Sequence, residues 1–333
     1  MRLFHELRRL LLTGRTGIDT KPNRLAYLAL IAVCFFWGTT YLGIRISLES
    51  IPPLYLIAGR YVISGAILLV FSALAGIALP RGRELIYTAL CGMICIGIGN
   101  GLLAIAELWI PSGQAALFYT TSPFWMVGID ALLPGGRRPL RSTIGGLLVG
   151  LAGVAVLIAP AAIHEGTSSR TLAAFLLLQI SGVGWVLGSL LQKRVHARSQ
   201  PFVSGAVQQL AAGLAMFIPA SMFEQPPHAI SARSYGAVAY LIVFGSLIGF
   251  SSFIYAMARL PVAIVSIYTF VNPVVAVLLG WLFFREPFGY ADLAAMIVIF
   301  TGVALVRRSE ANRRATVMVP AADEVGAIGE EER

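Results

Sequence analysis

Charge is what this chain has least of. Asp, Glu, Lys and Arg make up 12% of its 333 residues, where a soluble domain carries roughly a quarter. Only two residues are lysine, Lys21 and Lys193, and neither follows a glycine. No phosphate-gripping G-x4-G-K-[ST] loop can therefore form, which excludes an ATP-driven pump of that type. The four histidines, His5, His164, His196 and His228, all fall in predicted loops or tails. That leaves no intramembrane Ser-His pair, H-E-x-x-H site or haem ligand, and argues against a membrane enzyme. Cysteine is equally scarce: Cys34, Cys91 and Cys95 lie inside apolar runs and read as small hydrophobes. Neither a metal site, nor a disulfide, nor a cofactor is expected. The net charge is +9, but the arginines are scattered in short clusters with no basic stripe, so nucleic acid is not an expected partner.

Apolar length is what the chain has in excess. Hydrophobic residues are 57% of the sequence and the mean hydropathy is +0.80. Crossing about 30 Å of hydrocarbon takes about 20 apolar residues in a helix. Runs of that kind occupy 25–44, 54–79, 85–106, 110–129, 142–163, 171–192, 199–223, 234–258, 260–284 and 288–306. Lys and Arg collect in alternate loops, while the opposite loops hold only Arg170, Arg233 and Arg285. That bias predicts both termini in the cytoplasm and an even number of crossings. The first 24 residues are too charged for a signal peptide; Leu3, Phe4, Leu7, Leu10 and Leu11 suit either an amphipathic surface helix or a disordered tail.

The two halves carry the same landmarks. Trp37 and Trp185, Arg45 and Lys193, Pro53 and Pro201, Gly65 and Gly213 are each 148 residues apart. Pro111 and Pro261, and Pro123 and Pro273, are 150 apart, and Gly-Val-Ala at 153–155 recurs at 302–304. Five spans per copy is an odd number, so the second copy enters the membrane from the other side. Folds of this kind hold substrate near the midplane, where the copies meet. The expected fold is therefore all-α and integral to the membrane: ten transmembrane helices as two inverted five-helix repeats. A cytoplasmic segment 1–24 precedes repeat one (25–163) and repeat two (168–308), and a disordered cytoplasmic tail 309–333 follows.

Three stretches carry a family likeness: Phe36-Trp37-Gly38-Thr39-Thr40-Tyr41; Gly97-Ile98-Gly99-Asn100-Gly101 through to Glu107; and Val271-Asn272-Pro273 through Gly280, followed by Glu286-Pro287. Through them the chain resembles the EamA family of the drug/metabolite transporter superfamily, over about 25–308. The resemblance implies ten helices, the bacterial inner membrane, and export of amino acids or related metabolites.

Candidate functional residues are polar or aromatic groups inside the runs. Trp37 and Tyr41, Ser252 and Tyr255, and Tyr268 and Asn272 share helix faces, as do Asn100 and Glu107, seven apart. With Trp185 they either line a substrate cavity or fill space and bond helices together. Gln208 and Gln209 sit at the depth of Arg60 and Tyr61 in the other copy. Arg60 and Glu107, ionisable groups inside spans, are candidates for a gate or for ion coupling, with a pair between them allowed; independent snorkelling, as expected of Arg45, is the alternative. Asp130 reads as interfacial. Pro123 and Pro273 are either hinges or static kinks, each freeing a carbonyl four residues back, at Tyr119 and Thr269. Gly146-x3-Gly150 marks a close helix contact, within the monomer or in a homodimer. The reading that unites these features is a secondary transporter exporting amino-acid-like solutes, with lipid as its surroundings. A channel-like facilitator is the alternative.

Overall fold

A backbone surrounded by hydrocarbon must bond to itself, and the apolar runs accordingly fold as helix. A computed structural model describes residues 24–110, 112–134, 136, 138–165, 169–194, 200–284 and 289–318. The first half contains α1 (Arg24–Ser47), α2 (Pro53–Leu74), α3 (Arg83–Gly92), a π-helical stretch (Met93–Ile98), α4 (Gly99–Ala106), α5 (Ser112–Tyr119), α6 (Ser122–Leu132) and α7 (Arg141–Glu165). The second half contains α8 (Ser169–Arg194), α9 (Pro201–Phe223), α10 (Ala232–Tyr240), a second π-helical stretch (Leu241–Phe250), α11 (Ser251–Arg259), α12 (Val262–Val265), α13 (Tyr268–Phe284) and α14 (Tyr290–Met318).

Among the described residues, six helical runs are long and apolar enough to cross a membrane: α1, α2, Arg83–Ala106, α8, α9 and Ala232–Arg259. The other four expected crossings fall on α5–α6, α7, α12–α13 and α14; turns interrupt the first and third of these. Outward faces are apolar. Leu28, Ile31 and Phe35 on α1, and Leu172, Leu176 and Ile180 on α8, are exposed at helical spacing, as a lipid-facing stripe should be. The last helix runs to Met318, so 309–318 is helical rather than the start of a disordered tail. Ser309 anchors it, within bonding distance of Ser142 (2.7 Å) and Thr143 (2.8 Å) on α7. The segment 1–23, Pro111, Arg285, Glu286, Pro287 and the tail beyond 318 lie outside the described residues.

Proline at the first turn costs a helix nothing, because that N–H has no partner there anyway. Pro53 and Pro201 open α2 and α9 in this way. These two corresponding helices pack together antiparallel. A Cβ on Gly65 would lie 2.5 Å from the Leu210 nitrogen, and one on Gly213 would lie 2.5 Å from the Val62 nitrogen. Since Gly65 corresponds to Gly213 and Val62 to Leu210, the two contacts are images of one another. The α2 N-terminus is closed by Glu224 at the far end of α9: its carboxylate accepts from Leu54 N (2.9 and 3.0 Å) and Tyr55 N (3.1 Å). Helices α7 and α14 repeat the arrangement. Cβ atoms on Gly146 and Gly153 would come within 2.8 Å of Val306 and Ile299, and one on Gly302 would strike Gly150. The Gly146-x3-Gly150 pair is therefore used inside the monomer.

Candidate functional site

One face of α1 carries Trp37, Tyr41 and Arg45, four residues apart, and leads from the centre of the bundle to one end of it. The Trp37 ring meets Trp185 (5.2 Å between centroids, 80°), Phe253 (5.1 Å) and Tyr268 (5.2 Å, 82°). Trp185 also meets Phe250 and Phe253. Such edge-to-face pairs add about 0.5–1.5 kcal/mol each beyond the area they bury. The two corresponding tryptophans thus touch each other where the copies meet. Each lies on a glycine of the third apolar run of its own copy's partner: a Cβ at Gly249 would collide with the Trp37 indole, and one at Gly99 would lie 3.2 Å from Trp185 Cβ. Trp37 Nε1 donates to Gly245 O in the second π-helical stretch at 3.0 Å. Trp185 Nε1 has no partner among the described residues.

A second set of polar groups adjoins the rings. Tyr41, Tyr119 and Tyr268 stand within electrostatic range of one another, and Tyr41 within range of Glu107. Glu107 caps α4, is 0% exposed, and among the described residues neither of its carboxylate oxygens has a hydrogen-bond partner. The Tyr268 hydroxyl is also buried; it stands near the Trp185 indole, but neither has a partner within hydrogen-bond distance among the described residues. Burying a polar group without a bond costs roughly 1–3 kcal/mol, and a charge more. Three such groups lie along one seam.

The sequence allows a pair between Arg60 and Glu107; among the described residues the two form no ion pair. Arg60 is buried on α2, donates through Nε to Ser246 Oγ at 2.8 Å, and lies over the Tyr61 ring at 4.7 Å. It is Arg45, expected to snorkel, that approaches Glu107, donating to its backbone oxygen at 2.6 Å. Lys193, which corresponds to Arg45, does the same for the other copy, donating to Leu260 O at 2.9 Å. Because Pro53 and Glu224 share one end of the bundle and Pro201 begins at the other, these two latches lie at opposite ends. Each ties the first helix of a copy to the residue that closes the C-terminus of the third helical run, Glu107 or Leu260, where cations suit the helix dipole. Asp130 forms an ion pair with Arg194 at 2.7 Å, at the Lys193 end.

Breaks replace the simple proline kinks. The first comes at Thr120–Thr121, with Pro123 starting α6; the second comes at Ser266–Ile267, and Pro273 sits inside α13. Gln179 on α8, which sequence reasoning passes over, bridges the first: it accepts from Thr121 (2.8 Å) and Trp125 (3.0 Å) and donates to Phe118 O (3.3 Å). The carbonyl it serves is Phe118, one residue before Tyr119. Ser266 and Thr269 close the second break with bonds to Ala263 O and Ser266 O. Asn272, its amide nitrogen turned toward two carbonyls, donates to Tyr268 O (2.9 Å) and Cys34 O (3.0 Å) and so fastens α13 to α1. Tyr255 lies apart from the rings at 3.7 Å under Arg259, near the Lys193 end, with Ser252 half-buried on the same helix. Asn100 is half-buried, and no described hydrogen bond or ring contact draws it into the cluster. Gln209 accepts from Ser64 at 2.5 Å, whereas the buried Gln208 amide has no partner among the described residues. A cavity of about 350 Å³ opens at the Lys193 end among Tyr27, Pro261, Ile264, Arg307, Arg308 and Glu310.

The duplicated helices and their meeting tryptophans agree with what comparison finds: residues 24–159 and 172–308 each match the EamA-like transporter family. The chain belongs to the EamA-like transporter family. An EamA-like protein of Escherichia coli, the uncharacterized inner membrane transporter YedA, is 34% identical over 280 residues, covering 84% of this chain and 89% of that protein. A "Probable terminal-alkyne amino-acid exporter" of Streptantibioticus cattleyicolor is 26% identical over 301 residues, covering 88% and 96%. A solved crystal structure matches the fold with a TM-score of 0.72 at 23% identity, over 86% of this chain and 98% of the other. Membership places the chain among membrane transporters rather than enzymes.

Proposed function

We propose that this EamA-like protein is a secondary transporter that exports small amino-acid-like metabolites across the bacterial inner membrane by alternating access. In this reading the chain crosses ten times, the copies are inverted, and both termini are cytoplasmic, so the Arg45 end is periplasmic. The observation that carries it is the meeting of corresponding elements: Trp37 against Trp185, and Gly65 and Gly213 at an antiparallel crossing. Inverted copies joined at a seam can rock about it and open one end at a time. The unpartnered atoms of Glu107, Trp185 and Tyr268 supply a polar lining beside aromatic walls, which suits a small solute with an apolar body. Trp37, Tyr41, Tyr119 and Asn272 complete that lining; Asn100, Ser252 and Tyr255 serve the route to it. Arg60 acts on the gate, and Pro123 and Pro273 act as hinges.

Efflux from loaded proteoliposomes, together with resistance of overproducing cells to toxic amino-acid analogues, tests the reading. Saturable efflux and protection are expected. If a broad analogue panel gives neither, amino-acid export is wrong. Reporters fused near Arg83 should appear cytoplasmic and those near Glu165 periplasmic; the reverse would overturn the topology.

A further inference from the structure

We infer that the Glu107 carboxylate is the receptor for a protonated amine on the transported solute, which makes the substrate class primary amines and zwitterions rather than organic anions. The inference rests on the export reading above and adds the chemistry that the seam selects.

The carboxylate is wholly enclosed, and both oxygens lack a hydrogen-bond partner among the described residues. Among the described residues no Lys, Arg or His nitrogen comes within 4.0 Å of it; the ion pairs are Arg194–Asp130 and Arg233–Glu49. Arg45 stands beside it, but spends its short bond on the Glu107 backbone oxygen. A guanidinium held that way lowers the cost of the charge without filling the acceptor sites. Up to four lone-pair positions stay open on the two oxygens. An ammonium offers three donors as a compact charge and fills them better than a neutral group. Tyr41 stands within electrostatic range of the carboxylate, on the helix face that continues inward to Trp37. Aromatic faces attract the same ammonium. The route from the tryptophan pair to the Arg45 end therefore runs from apolar walls to an anion, the order in which the body and the amine of such a solute would be held.

Purified wild-type protein and the Glu107→Gln and Glu107→Asp variants are compared in two readouts. The first is thermal unfolding in detergent with leucinamide or phenylalaninamide, and with their N-acetylated, uncharged counterparts. The second is efflux of the same compounds from proteoliposomes. The amines should raise the unfolding midpoint of wild type and of Glu107→Asp, and the acetylated forms should not. Glu107→Gln should lose the shift, with efflux of the amines falling about tenfold or more. Amines that fail to shift wild type, or acetylated forms that shift it equally, overturn the amine site whether or not the variants fold. Amine efflux unchanged by Glu107→Gln also overturns it while leaving export intact. Loss of pH-gradient dependence in that variant, with amine preference kept, would assign the carboxylate to a proton instead. Absence of any efflux by wild type counts against the export reading alone, since the unfolding readout still decides the site.

Discussion

Replacing Gly65 by alanine should loosen the contact between the two copies, and the same replacement at Gly59, less than two turns earlier on α2, should not. A methyl at Gly65 would sit 2.5 Å from the Leu210 nitrogen and 2.8 Å from its Cα, so backbone has to move. Forced overpacking of that kind costs about 1–3 kcal/mol. Against it stands the better helix propensity of alanine, about 1 kcal/mol over glycine. The net is a loss of up to about 2 kcal/mol. A methyl at Gly59 meets nothing within 4 Å, so only the gain remains and the variant should be neutral or slightly more stable. Gly213→Ala should match Gly65→Ala, because its methyl meets Val62 N and Tyr61 C in the same way. The double variant should cost less than the sum, since one separation of the helices relieves both clashes. Reversible unfolding in mixed micelles measures all four. Equal effects at Gly59 and Gly65, or full additivity of Gly65 and Gly213, would refute the crossing as drawn.

Trp37→Phe should destabilise the protein by about 0.5–1.5 kcal/mol or more, because it removes the bond to the Gly245 carbonyl and thins the ring cluster. Trp185→Phe removes a buried N–H with no close partner among the described residues, so it should cost less stability than Trp37→Phe while efflux falls; an equal loss of stability with efflux unchanged would make Trp185 mere packing. Glu224→Ala should cost about 1 kcal/mol or more by uncapping α2, read as a lower unfolding midpoint, whereas a substitution at the neighbouring exposed Met222 should not. Pro273→Ala should slow turnover more than it weakens binding; unchanged turnover would make that proline static.

The duplication was legible in the sequence because tryptophan, proline and glycine mark time along the chain at a spacing of 148 to 150 residues. That Gly65 meets Leu210, and that Glu224 caps α2 from 170 residues away, was not, since no local pattern announces a distant partner. The ends of the spans were only partly readable. Residues 110–129 and 260–284 look like continuous helices by hydropathy, but turns at Thr120–Thr121 and Ser266–Ile267 divide them, and the groups that make those turns tolerable are Gln179, Ser266 and Thr269. Of the candidate site, the tryptophans, Tyr41, Tyr119, Tyr268, Asn272 and Glu107 come together, since they share faces turned to the seam. Arg60 bonds Ser246, beside the Gly245 whose carbonyl Trp37 reaches, which hydropathy and depth alone could not reveal.

In a chain made of two opposed copies, exchanging the roles of the copies turns an inward-opening shape into an outward-opening one. Were the halves identical, the two shapes would have equal energy and neither would be preferred. On the alternating-access reading proposed above, the resting orientation of such a transporter is therefore written only where the halves disagree. Arg60 stands where the second copy has Gln208, and Glu224 where the first has Gly76. A charge that one half owns and the other lacks tilts an otherwise even balance.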